Sequence, residues 1–134
     1  MQVNPADYNQ RRAYLIGYNS QTERLPRIEN IGDHLVSAKQ GLMEWGFKSH
    51  EILTIEKEED VSHFLDAELT KIRSEDARQL VFIFFKGHGI VKSDCMYLSE
   101  SINLESFLRN CASAPKVDVV GLFDCCRRDT GVPA

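Results

Sequence analysis

Two short apolar runs, each ending in reactive side chains, constrain this chain more than anything else in it. Residues 81–85 read Val-Phe-Ile-Phe-Phe and lead into Lys86, Gly87, His88 and Gly89. Residues 117–123 read Val-Asp-Val-Val-Gly-Leu-Phe and lead into Asp124, Cys125, Cys126, Arg127 and Arg128. Both runs are rich in β-branched and aromatic residues, as strands buried on both faces are. Such strands belong to parallel sheets, whose carboxyl ends gather ligands and chemistry. The pattern therefore predicts a base, His88, and a thiol nucleophile on the same rim of one sheet.

The rest of the chain alternates strand and helix. Residues 13–17 read as a first buried strand, followed by a turn-rich stretch over 19–26 and a helix from about Asn30. Ile31, Leu35, Ala38, Leu42 and Trp45 form one apolar stripe, and Gly46 suits a left-handed helix end. Residues 51–55 read as a second strand near an edge. Val61, Leu65, Leu69 and Ile72 mark a second helix, preceded by Glu58, Glu59 and Asp60, which favour a helix N-terminus. A short piece around residues 96–98 follows the 81–85 strand. A third helix carries Leu104, Phe107, Leu108 and Cys111, with Asn103 as its N-cap and Pro115 beyond its end. Repeated strand–helix–strand units imply right-handed crossovers and an α/β fold, a three-layer α/β/α sandwich around a mainly parallel sheet.

Composition narrows the function classes. A chain of 134 residues has room for one core. It is 43% apolar and 27% charged, too apolar for disorder. A net charge of −4 gives no reason to expect nucleic acid or an anionic membrane as a partner. No apolar run approaches the roughly 18 residues of a spanning helix, and the first residues lack the basic and apolar regions of a signal peptide. The four cysteines show no Cys-x-x-Cys spacing. These features point to a reduced, cytoplasmic protein without a metal or other cofactor. His34, His50 and His63 read as exposed polar residues, and Cys95 and Cys111 as filler.

Gly87-His88-Gly89 after one strand and Asp124-Cys125-Cys126-Arg127 after another resemble the catalytic half of the caspase-like cysteine peptidases, which include caspases, metacaspases and paracaspases. The resemblance covers a p20-like domain over residues 12–129, with residues 1–11 an N-terminal extension and 130–134 a tail. Asp-x-Cys is the metacaspase and paracaspase form, which makes Cys126 the nucleophile and leaves Cys125 to pack. The shorter than usual separation of His88 and Cys126 implies trimmed loops, since caspases place this histidine about 50 residues before the cysteine. The resemblance implies a strand order with residues 13–17 beside 81–85 and residues 117–123 next outward. It also implies a cysteine-type endopeptidase acting on peptide or protein substrates. Cys126 and His88 would form the dyad, and the backbone N–H groups of Gly89 and Cys126 the oxyanion hole.

For substrate choice the resemblance offers two signals. Asp124, assisted by Asp33, matches the acidic pocket that takes arginine or lysine, where two carboxylates suit a guanidinium. Arg27 lies where caspases hold an arginine that reads a substrate aspartate. Asp124 in place of the caspase glutamine favours a basic residue. Lys86 stands where the family has a small residue, and a cation there would act on both His88 and Cys126.

Each residue also has a plainer reading. His88 alone fits a glycine-rich turn, and free cysteines are commonly core residues. The family continues with further strands after the cysteine loop, so this chain reads as its large segment without the small-subunit half. That leaves residues 117–123 as an exposed edge prone to pairing. Homodimerisation, or a complex with a small-subunit segment, is the expected consequence. The alternative to an enzyme is a non-catalytic caspase-like module that pairs with a full-length relative. A general α/β ligand-binding domain is the third reading, but no phosphate-binding glycine motif is present.

Overall fold

The computed structural model describes residues 3–19, 28–92, 95–99 and 102–129, with side chains described in all of these except residues 58–59, 88–92, 95–99, 102 and 125–129. The elements run β1 (Gln10–Gly17), α1 (Ile31–Trp45), β2 (Ile52–Ile55), α2 (Glu58–Ser74), β3 (Gln79–Lys92), β4 (Cys95–Ser99), β5 (Ile102–Asn103), α3 (Leu104–Ala112) and β6 (Val117–Asp129). Four strands are parallel in the order β2-β1-β3-β6, and β4 and β5 extend the sheet antiparallel. The strand order is the one expected, with β2 at an edge.

Alternation along the strands divides the apolar side chains between two cores. Ala13 and Leu15 of β1, with Leu80 and Phe84 of β3, meet the α1 stripe of Ile31, Leu35 and Leu42. Tyr14 and Ile16, with Val81, Ile83 and Phe85, face the opposite way onto α2 and α3. Both faces of β1 and β3 are therefore covered, which is why neither strand shows polar alternation in sequence. Each Leu, Ile, Val or Phe side chain among these, when fully removed from water, contributes about 1.5–3 kcal/mol. The result is a three-layer α/β/α sandwich.

Local chemistry sets the helix limits. Gly46 ends α1 at φ 135°, a left-handed conformation that suits glycine, and its N–H donates to the Leu42 carbonyl. The Asn103 side chain caps α3 by accepting from the Ser106 N–H at 2.9 Å. On α2, Val61, Leu65 and Ile72 are buried and Leu69 packs beside them. Glu68 shares that apolar face and is also buried. Its Oε1 accepts from the Tyr14 hydroxyl at 2.9 Å and its Oε2 pairs with Lys71 Nζ at 3.0 Å.

Three features differ from the sequence expectation. β1 begins at Gln10, and the buried Tyr8 before it donates from its hydroxyl to Asp118 on β6 at 2.7 Å. β3 runs to Lys92 and β6 to Asp129, well beyond the apolar segments that mark them in sequence. Apolar content reports where a strand is buried, whereas backbone pairing continues as long as a neighbour keeps register. Here the parallel register holds from Gln79–Val117 to Val91–Asp129.

The outer side of β6 has no paired strand among the described residues, and Leu122 on it is 54% exposed.

Candidate functional site

Parallel pairing between β3 and β6 aligns the two sequence motifs residue by residue. Lys86 is opposite Asp124, Gly87 opposite Cys125, His88 opposite Cys126 and Gly89 opposite Arg127. Neighbouring strands lie about 4.8 Å apart, so the His88 and Cys126 backbones are immediate neighbours. Both residues sit on paired strand extensions, not on the loops that the sequence suggests.

The other side of β3 changes partner at this point. β1 pairs with β3 up to Gly17–Lys86, and β4 takes over only at Ile90–Tyr97. Among the described residues no strand flanks 87–89 on that side. This is also where strand order reverses, since β2 lies beyond β1 while β6 lies on the far side of β3. Crevices in open α/β sheets form at such reversals. Gly87 fits the packing here because a Cβ would stand 2.8 Å from the Phe85 ring and 3.0 Å from the Tyr18 carbonyl oxygen.

Beside this point, between α1 and the sheet, lies a cavity of about 770 Å³. Trp45, Phe82, Phe84 and Leu122 supply apolar walls, and Asp33, His34 and Asp124 supply polar ones. Asp33 comes from the first turn of α1, where a carboxylate is favoured by the helix dipole. The two acidic residues singled out in sequence thus share one cavity. An apolar groove with carboxylates suits a long side chain that ends in a cation.

Asp124 is not a free acid. Its Oδ2 accepts from Lys86 Nζ at 3.0 Å, with the lysine side chain 16% exposed and the aspartate 56% exposed. Lys86 follows Phe82 and Phe84 at alternate positions of β3 and so shares their face. Asp33 forms no ion pair with another described residue. The sequence singled out Lys86 for its effect on His88 and missed its pairing with Asp124. Opposite charges directly after two strands of matched register were the available signal.

Cys111 is fully buried on α3 in the core beneath Tyr14, and burial pushes its thiol up to about 12. A thiol held neutral in this way is a packing group, not a nucleophile. His34, His50 and His63 are exposed, as expected. Arg27 lies outside the described residues, as do the side chains of His88, Cys125 and Cys126, so the separation of the His88 and Cys126 reactive atoms does too. Among the described residues no cluster of histidine, cysteine or acidic side chains could hold a metal ion, and no helix is long and apolar enough to cross a membrane. No protein-family model matches the chain, and no curated protein matches it.

Proposed function

We propose that the chain is a caspase-like cysteine endopeptidase domain with His88 and Cys126 as its dyad, cleaving after a basic residue. The observation that carries this reading is the strand register, which makes His88 the direct backbone partner of Cys126 at the sheet's reversal point. An acidic, apolar-walled cavity adjoining that point supports the choice of a basic residue. In this reaction the Cys126 thiolate attacks the scissile carbonyl, and the carbonyl π electrons move onto oxygen. His88 carries the thiol proton to the departing amine, and water then hydrolyses the acyl-enzyme. The backbone N–H groups of Gly89 and Cys126 are the donors for the oxyanion. A reducing compartment such as the cytoplasm keeps the thiol available.

A panel of peptide substrates varied only at the residue before the scissile bond tests the proposal. Turnover after Arg or Lys, little after Asp, and none in Cys126→Ala or His88→Ala is the expected pattern. Cleavage after Asp would transfer specificity to Arg27 and Arg127.

A second reading rests on a separate observation, the outer edge of β6, which has no paired strand among the described residues and carries the exposed Leu122. Such an edge pairs with another backbone, as a non-catalytic module would use it to join a second copy or a full-length relative. No turnover on any peptide, together with stable association measured by light scattering, would favour this module.

A further inference from the structure

The Lys86–Asp124 pair bears on how the proposed cationic-residue pocket is used, and this inference rests on that reading of the cavity. The Lys86 side chain is largely covered along its length, and its ammonium reaches the surface to a carboxylate partner in an exposed hydrogen bond. Among the described residues that partner is Asp124. The cavity therefore carries two carboxylates, one already matched by a cation of the chain itself and one, Asp33, without an ion-pair partner among the described residues.

We propose that Lys86 is a specificity-setting residue: it occupies Asp124 and leaves Asp33 as the acid that receives a ligand's positive charge. A guanidinium entering the groove then meets one available carboxylate instead of two. To use Asp124 as well it must displace the lysine ammonium, a competition between two cations for one acid. Lys86 also repels a ligand cation directly whatever stands at position 124, so the competition is measured by the extra tightening seen only while Asp124 is charged. A general change in protein charge would act regardless of residue 124, which gives the idea a clear test.

Binding of Nα-acetyl-arginine amide is measured by calorimetry and by amide shifts of α1, using the intact chain and a norleucine analogue as the neutral control. The expected result is a dissociation constant lowered roughly fivefold in Lys86→Met and Lys86→Gln, a gain in keeping with release of one partly exposed ion pair. In an Asp124→Asn background the same Lys86 substitutions should change binding by less than about twofold, as a double-mutant cycle requires of a direct coupling. Asp33→Asn should weaken binding of the arginine probe more than Asp124→Asn does. Two Lys86 variants guard against one failing to fold, with circular dichroism as the check.

Equal tightening in the presence and absence of the Asp124 charge would overturn the inference, as would no tightening in either folded variant. Absence of binding in every variant overturns it too. Because the probe is an unreactive amide, none of these results depends on catalysis by Cys126. Loss of peptidase activity with the predicted binding pattern would refute the enzyme reading and leave the role of Lys86 intact.

Discussion

Gly17, the last residue of β1, fixes how α1 sits against the sheet, and Gly17→Ala is a sharp test of that packing. A Cβ at this position would lie 2.6 Å from Ile31 Cγ2 and 3.0 and 3.1 Å from the two Leu35 methyls. Both neighbours are buried in the first turns of α1, so they have little room to retreat. Overpacking of this kind costs about 1–3 kcal/mol. Replacing glycine in a strand returns about 0.5–1 kcal/mol, which leaves a net loss of about 0–2.5 kcal/mol, centred a little above 1 kcal/mol. For a chain of this size that corresponds to a melting temperature lower by about 5 °C. Urea unfolding followed by the fluorescence of Trp45, the chain's one tryptophan, measures the loss directly. Ile31→Ala removes the closest obstructing methyl, so the double variant should be more stable than the sum of the two single losses implies. Gly41→Ala is the control: on exposed α1 surface its Cβ would meet nothing within 4 Å. It should gain about 0.5–1 kcal/mol. A stabilised Gly17→Ala, or strict additivity with Ile31→Ala, would refute the seating of α1 on the end of β1.

Burial, followed by the charge and hydrogen bond of Glu68, raises the Tyr14 phenol far above its ordinary value. The neutral phenol's contribution is therefore complete below the unfolded tyrosine pKa of about 10 and is lost as pH rises beyond it. Stability measured from pH 9 to 11 should fall in the wild type and fall less steeply in Tyr14→Phe. Glu51 behaves in the opposite sense. Burial alone would raise its pKa, but the Lys48 N–H and the Arg11 guanidinium outweigh that and hold it low. Its contribution is present above the unfolded glutamate value of about 4.3 and is lost as pH falls through the lowered folded value. Glu51→Gln should therefore flatten the acid limb of the stability curve. The buried Cys111 thiol, pushed up to about 12, should resist iodoacetamide at pH 8 until the chain unfolds, as peptide mapping would show.

Much of the architecture was legible because burial leaves periodic marks. Leu35 and Leu42 fall at helical spacing, and the unbroken apolar runs of β1 and β3 follow from having helices on both faces. The far ends of β3 and β6 were not legible, since Lys86, Gly87 and their successors carry no apolar pattern although their backbones remain paired. Asp33 and Asp124 were singled out from a motif resemblance, and the cavity they share is a product of tertiary packing. The Lys86–Asp124 pair requires knowing that two distant segments are in exact register, which no local pattern states. Glu68 is an intermediate case. It falls on the apolar stripe of α2, a signal for a buried carboxylate, while its partner Tyr14 was hidden within a hydrophobic strand.

The central claim is that Cys126, with His88 beside it, is the reacting thiol. Covalent labelling by an arginyl acyloxymethyl ketone, located by peptide mass spectrometry on the folded chain, tests this most directly. The account predicts one adduct, on Cys126, that persists in Cys125→Ala and is lost in Cys126→Ala and strongly slowed in His88→Ala. An adduct on Cys125 or another cysteine, or a folded chain that takes no label at all, would contradict it.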